Sequence, residues 1–242
     1  MLFRSTRLVY DLFAYQRTKN QLEPQPAVVY TLVRETHDAD LQAGHQTKIQ
    51  HSFNYSDGFS REIQKKIQAE PEKINGVVGP PRWVGSGWTI FNNKGKPVRQ
   101  YEPFFSATHR FEFGVQVGVS PILFYDPVGR VVATVHPNHT YEKVVFDLWQ
   151  QTTYDVNDTV TVDPRTDDDM KGFLLNPDGT PRIPTMEYLP TWHKLRTDPL
   201  HATEFATRYP DATDRLNQKG AAVKAAAHAD TPTTAHLDRK ST

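Results

Sequence analysis

The chain of 242 residues has no cysteine. Neither a disulfide nor a thiolate metal site is available to it, and the redox compartment leaves no mark on the sequence. It has no net charge either, since 28 Lys and Arg balance 28 Asp and Glu. That balance removes the electrostatic case for nucleic acid or an anionic membrane as a partner. Long apolar runs are absent: no stretch approaches the ~20 residues of a membrane span. Met1-Leu2-Phe3-Arg4-Ser5 lacks the apolar centre of a secretory signal, so export would need another device or a preceding region. Apolar residues make up 37% and mean hydropathy is negative, which is low for one compact globule. The length fits one β domain or two small ones. Aromatics are plentiful at 11%, which favours strands with aromatic faces.

The strongest local signal is Leu123-Phe124-Tyr125-Asp126-Pro127-Val128-Gly129-Arg130-Val131-Val132. Asp, Pro and Gly at the first, second and fourth positions are the preferences of a type I turn, and apolar runs flank them. This is a β-hairpin. His136-Pro137-Asn138-His139-Thr140 is the next turn and Tyr141 to Phe146 the next strand, giving a three-strand meander. The plan recurs. Phe53-Asn54-Tyr55-Ser56-Asp57-Gly58-Phe59-Ser60-Arg61 repeats it, and Trp88-Thr89-Ile90-Phe91-Asn92-Asn93-Lys94-Gly95-Lys96 repeats it with Asn for Asp and Lys for Arg. Val9-Tyr10-Asp11 and Ala235-His236-Leu237-Asp238 read as partial copies. The intervals from Asp57 to Asn92 and from Asn92 to Asp126 are about equal and lie among the periods of repeat architectures. The next interval is irregular, so the array is degenerate.

Tyr125-Asp126-Pro127-Val128-Gly129-Arg130 resembles the YD repeat of Rhs-type polymorphic toxins. The segments 55–66, 101–106, 135–140 and 154–159 add to the likeness. Together they resemble the YD-repeat shell of component B of insecticidal toxin complexes and related virulence-plasmid proteins, over roughly Leu8 to Asp238. The resemblance implies many hairpins coiled into a continuous sheet that spirals into a hollow shell. That shell encloses a toxic C-terminal polypeptide until delivery. It implies no enzyme activity, no catalytic residue and no cofactor in the repeats. The implied partners are the remaining YD-repeat shell and the enclosed toxin polypeptide, and the implied place of action is secreted or extracellular. The chain is far shorter than such proteins, and Asp238 to Thr242 stops where a further Gly-Arg is expected. The expectation is a fragment.

Along the chain, strands are expected over Arg7 to Tyr15 with a turn, Ala27 to Thr36, Gln46 to Tyr55, Arg61 to Ala69, Arg82 to Phe91, Pro97 to Glu102 and Phe111 to Gly118. Further strands are expected in the meander, in Gln151 to Val156 and in Thr159 to Val162. Pro103 to Arg110 reads as irregular. Asp163 to Asp169 reads as a solvated acidic loop, and Asn176-Pro177-Asp178-Gly179 as a turn. Pro199 to Tyr209 and the Ala-rich Asp211 to Ala229 read as helices inserted outside or at the rim of the sheet. Three regions result: a YD-repeat β-sheet over 1–162, a loop and helical insertion over 163–230, and the start of a further repeat with a disordered tail over 231–242. The fold class is mainly β, with antiparallel hairpins in a curved or spiral sheet and a helical insertion near the C-terminus.

The recurring residues Tyr55, Asp57, Arg61, Asn92, Gly95, Lys96, Tyr125, Asp126, Gly129 and Arg130 are read as a structural repeat motif. Asp57, Asn92 and Asp126 could be acids or metal ligands, but each is better placed to accept backbone hydrogen bonds in its own turn. Arg61, Lys96 and Arg130 could hold anions, or pair with carboxylates and stack on aromatics. The Asp163 to Asp169 run lacks the alternating calcium-loop rhythm and a closing Glu. His136 and His139, with His193 or His201, could bind zinc, but they flank a turn. Gly85-Ser86-Gly87 lacks the frame of a nucleophile elbow. No pair of acids is singled out for glycoside hydrolysis. Trp83, Trp88, Trp149 and Trp192 could form a sugar platform. The alternative function is therefore a free-standing β-rich module that binds carbohydrate or protein.

Overall fold

The computed structural model describes residues 6–74 and 76–237. The chain is mainly β and antiparallel, with helices gathered near its C-terminus. It divides into two compact units, Met1–Phe91 with Arg99–Val119, and Asn92–Val98 with Ser120–Thr242. The change of character after Val162 lies inside the second unit.

The first unit holds β1 (Thr6–Asp11), α1 (Ala14–Thr18), β2 (Ala27–Arg34), β3 (Ile49–Ser56), β4 (Glu62–Ala69), β5 (Lys73–Ile74), β6 (Val77–Val78), β7 (Arg82–Gly85), β8 (Thr89–Phe91) and β10 (Phe104–Ser106), while β9 (Pro97–Gln100) begins in the second unit and ends in the first. Six of the strands form one sheet in the order β1-β2-β3-β4-β7-β10. β5 pairs with β6, and β8 with β9. Strand alternation sends Phe53 and Tyr55 to one face, and cross-strand pairing sets Tyr30, Phe53, Lys66, Gly85 and Phe104 in one row. Tyr30 stacks on Phe53 with centroids 4.5 Å apart. Gly85 is required in this row, because a Cβ there would come within 2.8 Å of the Phe104 ring. Its absence lets that ring lie 4.7 Å from the Lys66 ammonium.

Two strand expectations in this unit fail. Arg82 to Phe91 is broken at Ser86-Gly87, where a Cβ on Gly87 would collide with the Tyr101 carbonyl. Phe111 to Gly118 is not a strand. Its backbone is met by glutamine side chains instead. The Gln64 amide donates to the Glu112 carbonyl and accepts from the Glu112 N–H, both at 3.0 Å. Gln25 treats Phe111 the same way, at 3.4 and 3.0 Å. Each amide offers one donor and one acceptor, as a neighbouring strand would. The alternation of Phe111 and Phe113 is therefore real but serves a strap across the aromatic face. β10 is a strand in the segment expected to be irregular.

The second unit holds β11 (Ile122–Tyr125), β12 (Val131–Val135), β13 (Tyr141–Phe146) and β14 (Gln150–Tyr154) as a meander. It continues with α2 (Lys171–Leu174), α3 (Trp192–Thr197), α4 (Ala202–Arg208), α5 (Ala212–Ala226) and β15 (Thr233–His236). β15 pairs with β14 and completes a five-stranded sheet, so the helices are an insertion between two neighbouring strands. Buried Asp158 closes that excursion. It accepts from the Thr231 N–H at 2.9 Å, and its carbonyl accepts from the Asp230 N–H at 3.0 Å. Thr159 to Val162 is a run of turns, not the expected strand, because Val160 and Val162 bond back to Asn157 and Thr159. The core of the unit joins Ile122, Ala133, Val135 and Tyr141 of the sheet to Met170, Leu174 and Tyr188. Asp211 caps α5 by accepting from the Asp214 N–H at 2.9 Å. The Asp238 of the last partial repeat, and the tail after it, lie outside the described residues.

Candidate functional site

The recurring motif forms one backbone shape. In Asp126–Arg130 the Asp126 N–H donates to the Arg130 carbonyl and the Gly129 N–H to the Asp126 carbonyl, both at 3.0 Å. Asp57–Arg61 and Asn92–Lys96 repeat both bonds at 2.9–3.1 Å. The fourth residue is left-handed each time, at φ 89° for Gly129, 75° for Gly95 and 61° for Ser60. This is a type I turn followed by a left-handed residue and a bulge. The bulge appears as a register shift at Phe124/Tyr125 and at Tyr55/Ser56. His136–Thr140 and Asn176–Thr180 make the same pair of bonds, with His139 at φ 65° and Gly179 at 82°. The likeness is hidden in the sequence because these turns move the capping residue. Asn138 and Asp178, at the third position, accept from the N–H of Thr140 and Thr180. In the first three turns the residue at the first position caps. Asp57, Asn92 and Asp126 each accept from two backbone N–H groups at 2.8–3.0 Å.

Charge then links two of these turns to the next aromatic. The Arg130 Nε donates to Asp126 at 2.7 Å, and its guanidinium lies 3.7 Å from the centroid of the Phe146 ring. The Arg61 Nε donates to Asp57 at 2.6 Å, and its guanidinium lies 4.6 Å from the Phe91 centroid. Phe91 and Phe146 each precede the Asx of a following turn, Asn92 and Asp147. Desolvation opposes the charge on Asp57 and Asp126, but the arginine and the backbone N–H groups outweigh it. Both carboxyls sit below their ordinary value. Adjacent turns also touch. The Lys94 ammonium donates to the Pro127 carbonyl at 2.6 Å, the Tyr125 hydroxyl donates to the Pro97 carbonyl at 2.7 Å, and the Lys96 side chain passes 3.2 Å from where a Cβ on Gly129 would stand. The Tyr55 hydroxyl donates to the His109 carbonyl at 2.6 Å, and burial raises its pKa. All ten motif residues are thus engaged in turns, strands or their immediate contacts.

The acidic loop is solvated only in part, for Asp168 and Asp169 are exposed. Asp163 and Asp167 are buried. Asp163 accepts from Arg165 at 2.7 Å and from Lys194 at 2.9 Å, and these bonds hold its carboxyl well below the usual range. Asp167 accepts from the Tyr141 hydroxyl at 2.7 Å and from Lys143 at 2.8 Å. Burial pushes its carboxyl up, and those partners bring it down further. The loop is a polar seam under the sheet. Among the described residues no group of three or more His, Asp or Glu could hold a metal ion. The tryptophans are divided. Trp83 stands edge-on to Phe53 and Trp88 edge-on to Phe113 in the first unit, while in the second Trp149 is exposed and Trp192 lies under Arg196. Ser86 Oγ accepts from the Lys65 N–H at 2.8 Å, a strand-edge role. A cleft of about 1070 Å³ in the first unit is bordered by Tyr15, Leu22, Pro24, Trp88, Phe111 and Phe113. No helix among the described residues is long and apolar enough to cross a membrane.

No protein-family model and no curated protein matches the chain. Among solved structures, a crystal structure of TcdB2-TccC3 is similar to it with a TM-score of 0.52 and 23% identity, over 65% of this chain and 8% of that one. TcdB2-TccC3 with Cdc42 gives 0.48 and 24%, over 59% of this chain and 7% of that one. A Tc holotoxin pore of Photorhabdus luminescens gives 0.48 and 21%, over 64% and 8%. The chain therefore spans less than a tenth of the length of the structures it matches. At this identity the likeness is one of fold, and it places the antiparallel hairpin architecture beside that of a Tc toxin component.

Proposed function

We propose that the chain is a non-catalytic wall segment of an Rhs-type YD-repeat toxin shell, a piece of a larger protein that encloses a toxic polypeptide and acts outside the cell that makes it. The observation that carries this reading is the recurrence of one turn, two copies of which stack an arginine on the aromatic before the next Asx. That arrangement joins hairpin to hairpin and has no obvious end, as repeat architectures require. The fold likeness to TcdB2-TccC3 supports it. So does the engagement of the Asp57, Arg61, Asn92, Tyr55, Tyr125, Asp126 and Arg130 side chains in the scaffold. The partners would be the remaining repeats and the enclosed polypeptide. The test is the DNA sequence upstream of Met1 and downstream of Thr242. In-frame Asx-x-x-Gly-Arg motifs on either side are expected. Unrelated flanks, together with a stable monomer, would overturn the reading.

A second reading rests on the cleft beside Trp88. Its size and aromatic lining suit a ligand, as a free-standing carbohydrate- or protein-binding module would need. Titration with a glycan panel separates the two. The wall reading expects unchanged tryptophan fluorescence, and a saturable shift abolished by Trp88→Phe would favour the module.

A further inference from the structure

α5 leaves its two largest aliphatic side chains outside. The side turned toward the unit carries Arg215, Gln218, Ala222, Ala225 and Ala226, all buried or half-buried. It is fixed by specific bonds. Arg215 donates to the Tyr209 carbonyl at 2.8 Å, and the Gln218 side-chain oxygen accepts from the Arg196 Nε at 2.9 Å. Arg196 is itself buried and lies 4.0 Å from the Trp192 ring centroid. At ~100° per residue, the opposite side carries Ala212, Leu216, Gly220, Val223 and Ala227. Leu216 is 71% exposed and Val223 65% exposed. A surface helix of a globular protein turns such residues inward. Here Arg215 and Gln218 are satisfied inside beside three alanines, so no rotation of the helix could hide Leu216 and Val223 without breaking those bonds.

The charges beside the stripe are of one sign. Lys219 flanks it on one side and Lys224 on the other, and both are exposed. The carboxylates of Asp211 and Asp214 fall on the far side of the helix by the same geometry. We propose that the outer face of α5 is a docking surface for an acidic amphipathic protein segment. The apolar ridge of that segment would seat on Leu216 and Val223, and its carboxylates would meet Lys219 and Lys224. A second copy of this chain is the poorer occupant. A two-fold contact would set lysine against lysine with no carboxylate on the face to answer them. The inference is independent of the wall reading, since it concerns the insertion and not the repeats.

The test uses the full chain and a fluorescently labelled synthetic helix with leucines at i, i+3 and i+4 spacing flanked by glutamates. Saturable binding by anisotropy is expected. It should weaken about tenfold or more with Leu216→Gln plus Val223→Gln, and likewise with Lys219→Glu plus Lys224→Glu. A peptide carrying lysines in place of its glutamates should restore binding to the second variant. All four positions are exposed, and unchanged circular dichroism would show that the variants fold. Absent binding, or binding indifferent to all four substitutions, overturns the proposal. Binding to phosphatidylserine vesicles without binding to the peptide also overturns it, because the surface would then be one for lipid.

Discussion

At the scale of the residue, the turn carboxylates work through the hydrogen bonds they accept more than through their charge. Asn92 makes the same two backbone contacts as Asp57 with no charge at all. Asp57→Ala should therefore open its turn by about 1 kcal/mol, the scale of a lost cap. Asp57→Asn should cost much less, because only a solvent-screened ion pair goes. Hydrogen exchange at the Phe59 and Arg61 amides reads the difference, and equal effects of the two substitutions would refute it. The seam under the sheet behaves otherwise, because Asp163 and Asp167 are buried and paired. Both have depressed carboxyl values in the folded chain. Their stabilisation is complete above the unfolded value of ~3.9 and is lost as pH falls from there toward the folded values. Asp163→Asn should thus weaken the fold at neutral pH by about 2 kcal/mol and flatten its acid dependence below about pH 4. Near-UV circular dichroism followed with pH in dilute protein checks both. Neither burial was legible in the sequence. The partners Lys143 and Lys194 stand far along the chain, and a run of four Asp among seven residues reads locally as solvated.

At the scale of the element, what could be read was what local chemistry decides. Asp-Pro-Val-Gly, Asp-Gly-Phe-Ser and Asn-Asn-Lys-Gly specify their turns within four residues, so the hairpins and their flanking strands were visible. The two long helices were visible through Pro199, Pro210 and the Ala-rich run. α3 was not, because six residues around Trp192 carry too short a period. The strap over Phe111 and Glu112 was misread for a different reason. Alternation reports a half-buried extended segment, but not whether a strand or two glutamine amides meet its backbone. That substitution is testable. Gln64 is fully buried and supplies both partners of Glu112. Gln64→Ala leaves the part-buried N–H and C=O of Glu112 unmet, so it should loosen the strap by about 1 kcal/mol. Amide exchange should accelerate at Glu112 while the β2–β3 ladder keeps its protection. If exchange at Glu112 does not change, water already serves those groups and the clasp is incidental.

At the scale of the whole molecule, surface is the deciding quantity. Apolar side chains stand exposed at a sheet edge. Leu8, Val9 and Tyr10 of the edge strand β1 are all exposed, and the polar β15 at the edge of the other sheet is exposed throughout. Open edges with apolar side chains on both faces are templates for further strands. An isolated 242-residue chain should therefore associate with its own kind as concentration rises, and should lack a sharp, reversible, monomeric unfolding transition. Light scattering behind a sizing column, with calorimetry at two concentrations, tests both. Leu8→Lys places a charge on the β1 edge and should shift the population toward monomer. A concentration-independent monomer with a two-state transition would mean that these edges are stable in water as they stand, and the case for missing neighbouring strands would fall with it.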